Sequence, residues 1–318
     1  MSYRTLISAA QLHALQQSSQ PVMVFDCSYN LAAPTTGQQQ FAQAHIPGAR
    51  HADLHDHLSS HHPQRAASQG RHPLPLPEDF AATLRQWGFS RNMQAVVYDR
   101  NGCNFCGRLW WILKWLGHEA VAILDGGLQA WQAAGYATAS GADVTDPSTP
   151  GDFAVQAPLA ELVDTATVHR SLSDGSLLLF DARGAARYRG EVEPLDPIAG
   201  HIPGAVNRPF TDNLQADGRF KPATVLKAEL AALLPAGFVP SQQSAQTASG
   251  DATSPHAQQT TLGATANGAP KAVVYCGSGV SAIATLLALE LAGYPRPALY
   301  AGSWSAWSNT PGLPVERA

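Results

Sequence analysis

Charge is scarce in this sequence: Asp, Glu, Lys and Arg make up 14% of its 318 residues. The 20 basic and 24 acidic side chains leave a formal net charge of -4, with no basic stripe of the kind that grips nucleic acid. Cysteine is scarcer still. Cys27, Cys103, Cys106 and Cys276 are too sparse for a disulfide framework, and a reducing compartment would keep them as thiols. Long apolar runs are missing too, so no segment is expected to span a bilayer, and residues 1–15 lack the apolar stretch of a signal peptide. These absences argue against a nucleic-acid or membrane partner. They lead to the expectation of a soluble, cytoplasmic enzyme.

What is present is length and repetition. Either half of the chain is long enough to bury a core of its own. Phe25-Asp26 recurs as Phe180-Asp181, and Ala44-His45-Ile46-Pro47-Gly48-Ala49 recurs as Gly200-His201-Ile202-Pro203-Gly204-Ala205. Val96-Val97-Tyr98-Asp99 matches Val273-Val274-Tyr275-Cys276, and 125–131 matches 301–307. The landmarks keep their order while the spacing between copies grows once, by some twenty residues. The chain therefore reads as two homologous domains, 1–143 and 152–318, with an insertion in the second. The linker falls in 140–151, rich in Gly, Pro, Asp, Ser and Thr. The insertion is 236–270, almost devoid of large apolar side chains. It is expected to be a mobile surface loop, because it cannot bury enough area to offset its ordering entropy.

Within each half, short apolar runs alternate with longer amphipathic stretches. Residues 22–25, 95–98, 121–124, 177–180 and 272–275 read as buried strands. Residues 78–87, 108–116, 224–234 and 281–291 read as helices. This alternation predicts α/β domains, each a mainly parallel sheet flanked by helices. In such sheets, sites form where strands end and loops lead into helices.

Cys276 occupies that kind of place. Its strand ends at the cysteine, and Gly277-Ser278-Gly279-Val280 follows before a helix opens at Ser281. Two glycines let the backbone curl and turn its N–H groups inward, and the helix N-terminus adds partial positive charge. A thiolate, or an anionic group bonded to its sulfur, is stabilised in such a ring of donors. The plainer alternative is a buried cysteine acting as a small hydrophobe. The loop could also hold a phosphate, as in cysteine phosphatases, but those need an arginine at position 282 to clamp phosphoryl oxygens, and alanine stands there.

Cys276-Gly277-Ser278-Gly279-Val280-Ser281-Ala282 resembles the active-site loop of the 3-mercaptopyruvate sulfurtransferases of the rhodanese superfamily, whose usual form has Thr in place of Ser281. The two His-Ile-Pro-Gly turns, Asp125-Gly126-Gly127 and Gly302-Ser303-Trp304 also look like rhodanese landmarks. The resemblance implies two rhodanese-like domains. The first lacks the catalytic cysteine, with Asp99 in its place, and closes one wall of an interdomain cleft. It also implies sulfur transfer through a persulfide on Cys276, without a cofactor or metal, from a small anionic donor to a thiol or cyanide. A thioredoxin-like protein is one candidate acceptor.

The donor is less determined. Arg187 matches the family arginine that binds the donor's anionic end. Mercaptopyruvate enzymes usually add a second arginine further along, where this chain reads Glu193-Pro194-Leu195-Asp196. Arg208 is a candidate substitute. Thiosulfate-specific loops carry Arg and Lys where this chain has the neutral Gly277 and Ser278, so loop and clamp point in different directions. The loop, with Gly277, Gly279, Val280 and Ser281 around the transferred sulfur, favours 3-mercaptopyruvate. Thiosulfate:cyanide transfer and a persulfide relay fed by a protein partner remain the alternatives. Ser278 and His72 match the serine and histidine of the family's Ser–His–Asp arrangement. For the acid, Asp53 lies close, while the family position corresponds to His55. Cys103-Asn104-Phe105-Cys106 has C-x-x-C spacing without a second ligand pair, and packing is its expected role. His51, His55, His57, His61 and His62 are expected to lie in a solvated loop.

Overall fold

The computed structural model describes residues 2–62, 64, 66–142, 147–235, 238 and 270–318. Runs of apolar residues without polar alternation have to be covered on both faces, and a parallel sheet with crossover helices does that. The first lobe runs β1 (Leu6–Ile7), α1 (Ala9–Gln16), β2 (Val22–Asp26), α2 (Thr36–Gln43), β3 (Arg50–His51), α3 (Pro77–Gln86), β4 (Gln94–Tyr98), α4 (Cys106–Trp115), β5 (Val121–Leu124) and α5 (Gly127–Ala133). Its sheet is wholly parallel in the order β1-β5-β4-β2-β3.

The second lobe repeats the plan with α6 (Thr165–Asp174), β6 (Leu177–Asp181), α7 (Ala185–Tyr188), β7 (Val206–Asn207), α8 (Ala223–Ala231), β8 (Lys271–Tyr275), α9 (Ala282–Leu291), β9 (Ala298–Leu299) and α10 (Ser303–Ser308). Its order, β7-β6-β8-β9, is that of β3-β2-β4-β5, and every pair is parallel. A single parallel bridge from Leu162 to Leu299 stands where the first lobe has β1. The insertion expected at 236–270 lies outside the described residues, apart from its last residue and Phe238. Residues 151–159 run along the first lobe, with Gly151 N–H bonded to Arg85, Gln156 N–H to Leu116 and Leu159 N–H to Lys114.

The His-Ile-Pro-Gly turns are braces for the central strands. In each, the isoleucine N–H donates to a tyrosine hydroxyl at the end of the middle strand: Ile46 to Tyr98 at 3.0 Å and Ile202 to Tyr275 at 3.2 Å. The residues that follow those tyrosines are Asp99 and Cys276, so the braces fix the two loops that matter most.

One expectation needs correction. Helices α4 and α9 are not amphipathic in the assembled molecule: every residue from Cys106 to Lys114, and from Ala282 to Leu289, is buried. Each packs one face on its own sheet and the other against the opposite lobe, and both belong to one apolar core that runs through the two lobes. The approach is close. A Cβ on Gly107 of α4 would lie 2.9 Å from Ile283 Cβ of α9.

Candidate active site

The two lobes place the same strand–loop–helix corner face to face, and they differ in what fills it. In the first lobe, the Asp99 carboxylate is ringed by its own loop. Oδ1 accepts from the N–H groups of Asn101 (2.8 Å) and Cys103 (3.1 Å), and Oδ2 from Phe105 (2.8 Å) and Cys106 (2.9 Å). Four converging amides make an anion cradle, and here the chain supplies the anion itself. In the second lobe, Cys276 begins the loop at the mouth of α9. Among the described residues, none of the N–H groups of Gly277, Ser278, Gly279, Val280 and Ser281 has a hydrogen-bond partner. The chain supplies this cradle with no anion of its own.

Its walls are fixed. Cys276 is 2% exposed. Its N–H donates to Ser303 Oγ at 3.1 Å, its carbonyl accepts from Trp304 N–H at 3.0 Å, and Gly277 O accepts from Ser305 N–H at 2.9 Å. Ser303 holds a φ of 55°, unusual for a residue with a side chain, at the position that Gly127 occupies in the first lobe with a φ of 58°. Its hydroxyl bridges Cys276 N–H and the Tyr300 carbonyl, which secures that conformation. Gly279 has to be glycine: its φ is 72°, and a Cβ would lie 2.4 Å from Ala301 O.

The first lobe reaches across to this loop with three side chains. His72 Nδ1 lies 2.8 Å from Ser278 Oγ. Burial, with Arg108, Arg71 and His55 adding to it, pushes the His72 pKa down to about 3, so the ring is neutral at physiological pH. No carboxylate is bonded to it among the described residues; Asp53 Oδ1 instead accepts from the N–H groups of His55 and Asp56. The third element of a Ser–His–Asp triad is therefore not assembled.

Arg108, at the start of α4, is fully buried, and among the described residues its partners are all carbonyls: Gly279 O at 2.9 Å, His72 O at 2.7 Å and Leu58 O at 3.4 Å. Burial lowers its pKa to about 10, and negative charge on Cys276 opposes that fall. A buried guanidinium without a carboxylate leaves net positive charge beside the sulfur.

The third side chain is Arg71, whose N–H also donates to Ser305 Oγ. Its Nη1 pairs with Asp196 Oδ1 at 2.6 Å. Arg187 pairs with Glu193 through Nη2 (2.6 Å) and Nε (3.2 Å), and with Asp196 at 3.2 Å. Asp196 thus ties the two arginines together over Gly277.

The sequence-derived site residues come together with one exception. Cys276, Gly277, Ser278, Gly279, Val280 and Ser281 form the loop, His72 is bonded to it, and Arg187 stands over it. Arg208 does not join them. Its guanidinium is taken up by Glu229 (2.6 Å), Asn213 (3.0 Å) and the Asp212 carbonyl (2.9 Å), so it braces its own lobe. Cys103 and Cys106 are buried free thiols within the shared core. The histidines of the expected solvated loop divide: His51 is buried with Nε2 on the Ser28 carbonyl, and His57 Nδ1 accepts from Asp53 N–H. His55, Asp56 and His61 gather on the surface, their ligand atoms within 4.8 Å of one another. Arg71 and Arg108 escaped the sequence reading, and Ser303 entered it only as part of a family landmark, without a role at the site. Arg71 and Arg108 reach the loop across the lobe boundary, and Ser303 acts within its own lobe through a backbone angle. The only available signal was the repeat, which aligns Ser303 with Gly127.

Comparison with known proteins agrees with this geometry. The model of the rhodanese-like domain matches twice, at residues 8–134 and 164–310. The chain belongs to the rhodanese family. This rhodanese is 43% identical over 318 residues to a Pseudomonas aeruginosa protein named "Probable 3-mercaptopyruvate sulfurtransferase", covering 99% of both chains. It is 33% identical over 280 residues to the 3-mercaptopyruvate sulfurtransferase of Escherichia coli K12, covering 87% of this rhodanese and 85% of the relative. The solved structure of SseA from Escherichia coli superposes with a TM-score of 0.71 at 28% identity, covering 94% of this rhodanese and 98% of SseA.

Proposed function

We propose that the protein is a 3-mercaptopyruvate sulfurtransferase that carries sulfur as a persulfide on Cys276. The observation that carries this reading is the amide cradle at Cys276, to which the chain supplies no acceptor, whereas its counterpart in the first lobe holds the chain's own carboxylate. A loop with free N–H groups suits a sulfur that gains negative charge during turnover and loses it again.

In the first half-reaction the Cys276 thiolate attacks the donor's sulfur. The donor's C–S bond breaks, its electron pair goes to carbon as the pyruvate enolate, and a persulfide remains on the enzyme. The donor's own thiol proton is enough to convert the enolate to pyruvate, so no net proton is drawn from the protein. The Ser278 hydroxyl and the neutral His72 ring form a pair that can carry that proton from sulfur to carbon. In the second half-reaction a thiolate or cyanide attacks the outer sulfur, the S–S bond breaks, and the Cys276 thiolate returns. Buried Arg108 and the loop amides stabilise the anion in both states.

The test is kcat/KM for 3-mercaptopyruvate and for thiosulfate, with cyanide as acceptor, in the wild type and in Cys276→Ser. The expected result is a preference for mercaptopyruvate that disappears in the variant, with one added sulfur on the wild type in intact-protein mass spectra after donor alone. A preference for thiosulfate would move the assignment to thiosulfate:cyanide transfer. Lack of Cys276-dependent turnover with either donor would overturn the small-molecule reading and favour the persulfide relay.

A further inference from the structure

The loop at 53–62 carries side chains that sulfur transfer leaves unused. His55, Asp56 and His61 lie exposed on it, with one ligand atom of each within 4.8 Å of the others. The two imidazole rings meet edge to face, their centroids 4.3 Å apart and their planes at 76°. None of the three side chains has a hydrogen-bond partner among the described residues. His57, between them in the chain, is taken up by Asp53 N–H. A zinc ion with bonds of about 2.0–2.1 Å needs its ligand atoms roughly 3.3 Å apart. Exposed side chains this close reach that spacing by rotation about their own χ angles.

The backbone beneath them is fixed. Asp53 Oδ1 accepts from the N–H groups of His55 (2.7 Å) and Asp56 (3.0 Å), and Ser59 Oγ donates to Leu54 O at 2.7 Å, which closes the loop on itself. Ser60 N–H donates to the carbonyl of Pro73, the residue after His72, at 2.9 Å. Ligands on a fixed backbone lose less freedom when they bind. We infer that His55, Asp56 and His61 bind one divalent transition-metal ion of the zinc type, through two imidazole nitrogens and a carboxylate oxygen, with water completing the shell. The ion ties residue 55 to residue 61 across the loop whose Leu58 carbonyl accepts from Arg108. It braces one wall of the sulfur site from outside, and no step of the transfer passes through it.

The probe is Zn2+ alone, titrated calorimetrically into full-length Cys276→Ser, in which the reactive thiol does not compete for the metal. One ion per chain is expected. His55→Ala and His61→Ala should each weaken binding at least about 10-fold, since even groups that only support a metal ligand cost that much when removed. His62→Ala and His169→Ala, at exposed histidines next to the cluster and in the second lobe, should leave the affinity unchanged. Absence of binding, or binding indifferent to His55 and His61, would overturn the assignment. An equal loss in His62→Ala would reduce the cluster to an unspecific histidine patch and sink it as well.

Two further readouts identify the ligands. Co2+ bound at this site should show visible d–d bands without the near-ultraviolet charge-transfer band of a cobalt–thiolate bond; a thiolate band would move the ion to a cysteine and refute the assignment. In thermal unfolding, Zn2+ should raise the Tm of Cys276→Ser, as mass action requires of a ligand held only by the folded chain. The same protein carrying His61→Ala should show no such rise, and an equal rise would count against the site. None of these outcomes depends on which sulfur donor the enzyme uses.

Discussion

At the scale of single residues, the site is made of side chains whose ordinary behaviour has been altered by burial. His72 shows the consequence most directly. Its folded pKa of about 3 lies below the ordinary 6.5, so the unfolded chain binds a proton more readily than the folded one between those values. Its contribution to stability is therefore intact above pH 6.5 and is lost as pH falls towards 3. Between pH 7 and pH 4 the urea midpoint of the wild type should drop more steeply than that of His72→Asn, by up to about 3 kcal/mol in unfolding free energy. Parallel slopes would show that His72 does not couple folding to protons. His118, held at about 4 by burial, has the same sign and is present in both proteins, so it cancels. Cys276 could be recognised in the sequence because its signal is local, a strand, a glycine-bearing loop and a helix in succession. Arg71 and Arg108 could not. The contact between His72 and Ser278 spans 206 positions, and nothing in the local pattern around an arginine reports which carbonyl or glycine lies across a lobe boundary.

At the scale of elements, the long strands were legible because continuous apolar runs have few other readings. Residues 121–124 form β5 as expected, and the runs at 22, 95, 177 and 272 gained one residue each on becoming β2, β4, β6 and β8. The two-residue strands β1, β3, β7 and β9 were missed, since two residues carry no periodicity. Helices α4 and α9 were placed correctly along the chain, but their apolar faces were underestimated. Part of their burial comes from the other lobe, which a one-chain amphipathic pattern does not encode. Their crossing is tight at Gly107, where an added methyl would meet Ile283 at 2.9 Å and Cys103 Sγ at 3.3 Å. Gly107→Ala should therefore cost about 1–3 kcal/mol in denaturant unfolding. It should also lower kcat/KM, because the same helix carries Arg108 to Gly279. A loss of stability with activity unchanged would show that the lobes tolerate separation at this crossing.

At the scale of the whole molecule, the duplicated sequence has produced two sheets, each with an apolar cluster of its own on one face and a shared core on the other. Residues from both lobes, including Trp110, Trp111, Ile283 and Leu286, belong to a single apolar cluster. Thermal unfolding is expected to be one calorimetric transition, in step with the fluorescence of the tryptophans of both lobes. Two resolved transitions would mean that the shared core does not couple them. The same duplication sets two versions of one cradle side by side, the first permanently filled by the carboxylate of Asp99. That pairing has a consequence for oxidative damage. Oxidation of Cys276 to the sulfinate would put two oxygens and one negative charge on a short stem, much as an aspartate does. The second cradle would then be filled as the first always is, and thiol reductants do not reverse that state. The feature that makes the loop hospitable to a passing sulfur also makes it a trap for oxygen.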